Sequence, residues 1–407
     1  MKGEYVFTYK GINDRKRKNL SILEMIRKKG TISRTDIARE TGINIVSISN
    51  YIDGYIKKGF VSESGYDIST GGRRPELVSL DHESQYVIGL EIGPEKIRAV
   101  MTDLSLTVKR KCESDRPEGT LDIVGLKALD VISQIIEESG VKKEKIGLIG
   151  IGICGIIDIR SGIIHDTDPT RGRTKTNLFT LTRSMELKFG IRTLLGNDAT
   201  CAVYGEKSYM PSVNIMDMLY IYSDVGCGII INGDIYCGVG GSAGEIQLLL
   251  DQNGKKDKKT FSEVSAYGIR GVDLGIVEKV KKHVAKREDS QLLNLVNNDI
   301  NKITKETIFL ASGKGDVLAK EVLFDAALWL GTKVAYLINI FNPETVIIGG
   351  GIEQAGSVFM VALENQIKQY AYEEAFNDVH IFPSFLREDA VVIGAASLAV
   401  RELFLDA

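Results

Sequence analysis

The chain has 407 residues, 43% of them hydrophobic and 26% charged, with a formal net charge of −3. This length exceeds what one hydrophobic core supports, so we expect two or three domains of ordinary globular composition. No apolar run reaches the roughly 18 residues that span a bilayer, and the polar, basic first residues lack the apolar core of a signal peptide. The five cysteines show no C-x-x-C spacing, which predicts free buried thiols in a cytoplasmic protein without membrane contact.

The charge is divided unevenly along the chain. Residues 1–80 carry 15 Lys and Arg against 9 Asp and Glu, a net charge of +6. The remaining residues carry 36 against 45, a net charge of −9. A basic amino-terminal part on an acidic remainder predicts a nucleic-acid-binding end.

The amino-terminal part has the element order of a winged helix-turn-helix. Helical spacing predicts a helix at 20–28, a second from Ser33 to Gly42 and a third from Asn44 to Gly59. Ser33, with an acidic residue three positions later, has the form of a capping box. Two short strands that follow form the wing.

The third helix is predicted to enter the major groove of DNA. Ile48 and Ile52 face inward, so polar side chains point outward, and an Asn there can bind adenine through two hydrogen bonds. The predicted DNA contacts of the helical part are Ser33, Arg34, Asn44, Ser47, Asn50 and Tyr51.

Arg73 and Arg74 lie between two glycines and a proline, in Gly71-Gly72-Arg73-Arg74-Pro75. A cationic segment of this kind suits a narrow minor groove, so both arginines are predicted DNA contacts. A plain interdomain linker is the alternative interpretation.

From residue 86 onward the pattern describes two similar halves. Each half contains a β-meander, a helix, a near-continuous apolar strand and a further helix, with the apolar strands at 146–153 and 346–348. This repetition predicts an internal duplication with a ligand-binding cleft between two lobes.

The most informative stretch is 194–206. Asn197 and Asp198 follow an apolar strand and precede a helix, the place where an open α/β sheet positions ligand contacts. Asp198 is also a candidate N-cap of that helix. Glycine turns near Gly93, Gly226 and Gly349 expose backbone N–H groups that can hold a phosphate, although hairpins also require glycine.

These motifs together resemble the ROK family of repressors and sugar kinases. The resemblance is carried by 71–75, 150–158, the Asn197-Asp198-Ala199 segment with Gly205-Glu206, 238–245 and 346–356. It implies an α/β protein in which a winged helix-turn-helix precedes a bilobed actin-like ATPase (ribonuclease H-like) body.

The resemblance also implies the domain boundaries. Residues 1–82 form the winged DNA-binding domain, which ends after the Gly-Gly-Arg-Arg-Pro joint. Residues 83–198 form the first lobe, with the helix at 391–407 packed back on it, and 199–407 form the second lobe.

Departures from the kinase pattern of the family concern the phosphate turns. The first turn contains Pro94, which has no N–H, and the acid Glu95, and the second turn adds Asp224. Phosphoryl transfer depends on stabilising negative charge, so acids in these turns oppose it unless Mg²⁺ recruits them. The degenerate nucleotide site implied by the resemblance consists of Glu91, Gly93, Gly226, Gly228, Gly349, Gly350 and Gly351.

The sugar side of the family's site is altered as well. Its Glu-x-Gly-His motif reads Glu245-Ile246-Gln247-Leu248, and the residues that replace its zinc loop, 251–260, contain no Cys or His, so no metal is expected. Asp198 matches the family's catalytic base, vestigial or active. The implied sugar-binding ring is Asn177, Asn197, Asp198, Glu245 and Glu263. The alternative is that these are helix caps and surface acids.

The sequence therefore predicts a DNA-binding transcriptional regulator of carbohydrate metabolism, a repressor. It would bind double-stranded operator DNA and a sugar or sugar derivative as a homodimer or homotetramer, without cofactor. One alternative is a sugar kinase that uses ATP and Mg²⁺ with Asp198 as base. The other is a ligand-independent DNA-binding dimer.

Overall fold

The computed structural model describes residues 5–9, 11–66, 75–168, 172–210, 215–223, 226–246, 274–286 and 290–407. At residues 166–168, 172–175 and 178 it describes only the backbone. The chain forms two compact units. The first unit comprises Met1–Asp166, Lys175–Asn214 and Val391–Ala407, and the second comprises Thr167–Thr174 and Ile215–Ala390. The division at residues 82 and 198 stays a prediction.

The head of the first unit contains three helices and a three-stranded sheet. The helices are α1 (Asp14–Lys29), α2 (Arg34–Thr41) and α3 (Ile45–Lys57), and the strands are β1 (Thr31–Ser33), β2 (Val61–Tyr66) and β3 (Glu76–Leu80). Helix α1 begins six residues before the predicted helix. Strand β1, which was not predicted, pairs with β3 and completes the sheet in the order β1-β3-β2.

Local sequence explains the helix boundaries in the head. The Ser33 side chain accepts a hydrogen bond from Asp36 N at 3.1 Å, and the Asn44 side chain accepts one from Ser47 N at 2.8 Å. Gly42 ends α2 in the left-handed conformation, which glycine adopts without strain. Ile48 and Ile52 are fully buried, so the inward face of α3 is as predicted.

The main sheet of the first unit has five strands in the order β11-β7-β4-β5-β6. Its strands are β4 (Tyr86–Ile92), β5 (Lys96–Asp103), β6 (Val108–Asp115), β7 (Ile146–Ile153) and β11 (Thr193–Asn197). Strands β4, β5 and β6 form the predicted antiparallel meander, whereas β7 and β11 are parallel to β4. Three further strands, β8 (Ile156–Asp158), β9 (Ile163–Asp168) and β10 (Gly172–Asn177), form a small separate sheet.

Helices pack on the main sheet of the first unit. They are α4 (Leu121–Ser139), α5 (Leu178–Phe189), α6 (Asp198–Tyr209) and the carboxy-terminal α13 (Ala390–Leu405). Glycines in β4 and β7 allow α13 to approach closely, because a Cβ at Gly89 or Gly150 would collide with the α13 backbone at Val392 or Ala395. Helix α13 thus packs on the sheet that carries Asn197.

The second unit is built around a sheet in the order β14-β13-β12-β15-β16. The strands are β12 (Met218–Tyr222), β13 (Gly226–Ile231), β14 (Asp234–Ile235), β15 (Thr345–Gly349) and β16 (His380–Pro383). The helices are α7 (Ile276–Val284), α8 (Gln291–Leu295), α9 (Lys305–Gly313), α10 (Val317–Phe341), α11 (Ser357–Tyr370) and α12 (Glu373–Asp378). Helix α10 is long and apolar enough to cross a membrane, but it packs in this unit's core through residues such as Leu330 and Val334.

The two five-stranded sheets have the same topology. In chain order, β12, β13, β14, β15 and β16 occupy the positions of β4, β5, β6, β7 and β11, with the same parallel and antiparallel neighbours. The predicted duplication is therefore present at the level of strand order.

The five cysteines are free, as the spacing predicted. Four of them are buried, and Cys154 is half-buried rather than buried. Burial in β13 raises the pKa of the Cys227 thiol to about 12, so this thiol stays protonated at neutral pH.

Candidate functional site

Asn197 and Asp198 lie where β11 ends and α6 begins. Asn197, and not Asp198 as expected, is the N-cap, since its side chain accepts from Thr200 N at 3.2 Å. The Asn197 amide also donates to Gly155 O at 3.2 Å, which fixes the loop after β7. Asp198 is the first helical residue, is 7% exposed, and accepts from Ala199 N at 2.8 Å. The helix dipole stabilises a carboxylate at a helix N-terminus, so the position at the start of α6 suits Asp198, and the hydrogen bond from Ala199 holds its side chain in place.

The other members of the predicted sugar ring are distributed over both units. Asn177 is exposed, caps α5 by accepting from Phe179 N at 2.9 Å, and lines a cavity of about 230 Å³ against α4. Glu245 is exposed in the second unit, where its backbone pairs with Gly226. Glu263 lies outside the described residues. The ring as a whole stays a prediction.

Side chains that flank the first glycine turn, at Gly93, lie against it. Glu91 is buried and forms an ion pair with Arg98 across the hairpin, with Arg98 Nη1 3.2 Å from Glu91 Oε2. A Cβ at Gly93 would lie 3.0 Å from Glu91 Oε1, so this carboxylate covers the turn. The Gly93 carbonyl accepts from Arg116 Nη1 at 2.9 Å. Glu95 is exposed.

The segment Gly226 to Gly228, predicted as a turn, is strand in the structure, whereas its role in a degenerate nucleotide site stays a prediction. Both glycines are strand residues of β13, opposite Tyr222 and Tyr220 of β12. The N–H of the intervening Cys227 donates to Gly244 O at 2.7 Å. The turn itself contains Asp224, which lies outside the described residues.

The third glycine turn, Gly349 to Gly351, has the expected shape but its donors are engaged. Gly350 and Gly351 have φ of 82° and 94°, values that glycine alone adopts freely. The Gly351 N–H donates to Glu353 Oε2 at 2.8 Å, and the Gly350 N–H donates to the Tyr220 hydroxyl at 3.3 Å. Glu353 is buried and had not been considered from the sequence. The sequence feature that points to Glu353 is an acidic residue two positions after a run of glycines.

These contacts do not fit a bound nucleotide. A triphosphate needs N–H donors and positive charge, whereas the turns at Gly93 and Gly351 already hold the carboxylates of Glu91 and Glu353. The ammonium of Lys305 lies 3.3 Å from where a Cβ at Gly351 would be and 3.8 Å from Glu306 Oε1, so one cation lies beside this turn. The carboxylates at both described turns therefore oppose the phosphates of ATP.

We expect 5 mM ATP with Mg²⁺ to leave the melting temperature of the protein within about 1 °C, because a ligand that does not bind the folded state cannot stabilise it. Glu353→Ala frees the Gly351 N–H beside Lys305 and should give weak, measurable nucleotide binding by calorimetry. Glu353→Gln is the matched control, since its carbonyl oxygen still accepts from Gly351. Tight binding of ATP to the unmodified chain would contradict this interpretation.

Two of the residues predicted to contact DNA, Ser33 and Arg34, instead bind other residues of the head. Ser33 is buried, and its hydroxyl caps α2 and donates to Asp36 Oδ2 at 2.6 Å. Arg34 forms ion pairs with Asp53 at 2.7 Å and Glu76 at 3.7 Å. The structure therefore places Ser33 in the interior of the domain, which excludes it as a DNA contact, and assigns Arg34 to holding α2 against α3 and the wing.

The outward face of α3 carries the remaining predicted contacts of the helical part. Asn44 and Asn50 are exposed, whereas Ser47 and Tyr51 are half-buried. Ile45 and Val46, in the first turn, are also exposed and were missed. The sequence feature that points to them is a pair of β-branched residues outside the apolar face of the helix. Apolar side chains of this kind suit contact with thymine methyl groups. Arg73 and Arg74 lie outside the described residues.

Among the described residues there is no group of three or more His, Cys, Asp or Glu side chains that suits a metal ion. Residues 251–260, where the family's zinc loop was expected to be lost, lie outside the described part of the chain.

Comparison with known proteins gives a consistent assignment. The ROK family model matches residues 87–256 and 282–402. The xylose repressor of Bacillus subtilis (strain 168) is 28% identical over 395 residues, which cover 95% of each chain.

Solved structures show the same fold. A ROK family transcriptional regulator, described as a homolog of the E. coli MLC protein, aligns with a TM-score of 0.76 at 23% identity over 96% of this chain and 98% of its own. A ROK family glucokinase from Streptomyces griseus, solved with glucose and AMPPNP, aligns with a TM-score of 0.62 at 21% identity. It covers 77% of this chain and 99% of its own.

Proposed function

The chain belongs to the ROK family, and we propose that it is a sugar-responsive, DNA-binding transcriptional repressor of carbohydrate metabolism. The observation that carries this proposal is a winged helix-turn-helix, described apart from residues 67–74, in which the N-cap Asn44 and the α3 residues Val46 and Asn50 are exposed to solvent. The similarity to a xylose repressor over 95% of the chain supports it. We place the protein in the cytoplasm, where operator DNA is found.

In this proposal α3 enters the major groove of the operator. Asn50 would contact adenine through its amide, and Ile45 and Val46 would contact thymine methyl groups. A dimer that places two α3 helices one helical turn apart would bind a pseudo-palindromic site. Arg73 and Arg74 remain proposed minor-groove contacts.

The effector would be a neutral, polyhydroxylated sugar. Asp198 is buried at the start of α6 and held by the Ala199 N–H, and a carboxylate there can accept hydrogen bonds from two hydroxyls. Asn177, Asn197, Glu245 and Glu263 remain the proposed further contacts. Because the described glycine turns hold Glu91 and Glu353, binding would occur without phosphorylation.

The test is operator binding by the purified full-length chain in the presence of sugars. DNA selected by the protein from a random duplex library serves as operator, and D-xylose, D-glucose and N-acetyl-D-glucosamine form the first panel. We expect one sugar class to weaken operator binding at least about 10-fold, a coupling free energy of about 1.4 kcal/mol.

Two outcomes would contradict the proposal. DNA binding that no sugar changes, across an extended panel, would leave a ligand-independent DNA-binding protein. Turnover of ATP with sugar by the unmodified chain would instead identify a kinase, for which the retained Asp198 is the supporting observation.

A further inference from the structure

Helix α6 connects the candidate sugar site to the DNA-binding head within the first unit. It begins at Asp198, and near its other end the carbonyl of Ser208 accepts a hydrogen bond from Arg27 Nη2 of α1 at 3.1 Å. Twelve residues of α-helix span about 18 Å. Residues 198–206 and Ser208 of this helix are all buried. A buried helix of this kind moves as a rigid element.

Arg27 is built into this contact and is not a surface cation. Its side chain is 6% exposed and forms an ion pair with Glu24, with Nη2 2.8 Å and Nε 3.0 Å from the same carboxylate oxygen. Burial by itself lowers the pKa of the guanidinium, but Glu24 and the nearby Tyr204 and Tyr209 raise that pKa above its ordinary value. The side chain is therefore charged and directed at the end of α6.

A second connection reaches the other end of the same segment. The amino-terminal arm, residues 5–9, adds to the free edge of β11: Leu195 N donates to Tyr5 O at 3.0 Å, and Phe7 N donates to Leu195 O at 3.3 Å. Phe7 is 2% exposed. A Cβ at Gly196 would lie 2.7 Å from the Tyr9 hydroxyl, so the arm ends directly beside Asn197.

The arm is also fastened to α13. Thr8 donates through its backbone N–H to Glu402 Oε1 at 2.6 Å and through its hydroxyl to Glu402 Oε2 at 2.9 Å. The Thr8 carbonyl accepts from Arg401 Nη1 at 2.8 Å. Arg401 and Glu402 are both buried, so these charge-assisted bonds are desolvated and hold the arm firmly.

We propose that the β11–α6 segment transmits sugar occupancy at Asn197 and Asp198 to the head, and that Arg27 is the residue that positions the head on α6. The inference rests on the proposed function and adds a route to it. The head contacts both ends of one buried segment, through the arm before Asn197 and through Arg27 after Asp198. A sugar that pulls on Asp198 displaces α6 along its axis and so displaces α1.

Close packing makes such a shift discrete. A Cβ at Gly394 of α13 would collide with the Cys201 carbonyl of α6, so the two helix backbones are in contact. Packed interfaces of this kind have two discrete arrangements and do not deform continuously. The sugar would favour one arrangement by its differential affinity, and operator DNA would favour the other.

The test measures operator affinity with and without the active sugar of the panel for full-length Arg27→Met, which keeps the aliphatic stem and removes the guanidinium. We expect the ratio of the two operator dissociation constants to fall from at least about 10 to within about 2-fold of unity. Sugar affinity by calorimetry should change less than about 3-fold, because Arg27 lies one α6 length from Asp198. Arg27→Lys, which keeps the charge but not the planar fork, provides a second variant should the first fold poorly.

Arg39→Met is the matched control, because Arg39 forms an exposed i,i+3 ion pair with Asp36 in the same head. For this variant, the ratio of the operator dissociation constants with and without sugar should equal that of the unmodified chain. A loss of DNA affinity that is the same with and without sugar cancels in this ratio. A sugar response that Arg27→Met and Arg27→Lys retain would overturn the inference and leave the proposed function intact. An unmodified chain that binds DNA but responds to no sugar would contradict the proposed function and this route together.

Discussion

Gly394→Ala is expected to destabilise the first unit by about 3 kcal/mol and to lower its melting temperature by about 10 °C. Alanine is the better helix former, so propensity alone predicts a stabilisation of about 1 kcal/mol. The tertiary contact reverses the sign, because the new methyl group would overlap the carbonyl of Cys201 and drive α13 away from α6. Differential scanning calorimetry on the full-length chain measures the effect.

Gly54→Ala is the matched control for this substitution. Gly54 lies inside α3, and a Cβ there meets no atom within 4 Å. The same change should therefore stabilise the head by about 0.5–1 kcal/mol, as propensity predicts. A Gly394→Ala variant as stable as the unmodified chain would show that α13 and α6 are not in backbone contact.

Asp198→Asn is expected to weaken sugar binding by about 10- to 100-fold, because a hydrogen bond to a charged group contributes about 1.5–3 kcal/mol. The substitution keeps the shape of the side chain, removes its charge and replaces one acceptor oxygen by an NH2 donor. Calorimetric titration with the active sugar gives the dissociation constant, and operator binding should lose its sugar response over the same concentration range.

Asp122→Asn separates binding from helix electrostatics. Asp122 is exposed in the first turn of α4, so both variants lose a favourable interaction with a helix dipole of about 0.3–1 kcal/mol. Only Asp198→Asn should alter sugar affinity. Because Asp122 and Asn177 line the same cavity, a loss confined to Asp122→Asn would place the sugar at α4 and contradict the assignment to Asp198.

Much of the fold was predictable because its signals are local. The N-caps Ser33 and Asn44, the terminating Gly42 and the inward Ile48 and Ile52 each depend on a few neighbouring residues. Strand β1 was missed because three residues, Thr31–Ser33, are too few to show an alternation. The start of α1 was missed because the polar residues before position 20 show little apolar periodicity.

The candidate site was predictable in position but not in detail. The Asn197-Asp198 pair was identified from the end of an apolar strand, yet only the structure shows that Asn197 is the cap and Asp198 the first helical residue. Gly226 and Gly228 were assigned to a turn because glycine is common in turns. In the structure they are strand residues of β13 that pair with Tyr222 and Tyr220 of β12.

The sequence by itself determined the winged head, the duplicated body and the position of Asp198, because periodicity, caps and motifs are encoded within short windows. Only the tertiary structure decided that Glu353 accepts a hydrogen bond from the Gly351 N–H and that Arg98 forms an ion pair with Glu91. The hydrogen bonds of residues 5–9 with β11 and of Arg27 with Ser208 are likewise visible only in the tertiary structure. These last two contacts link residues about 180 to 190 positions apart, and no local pattern records which distant groups a folded core brings together.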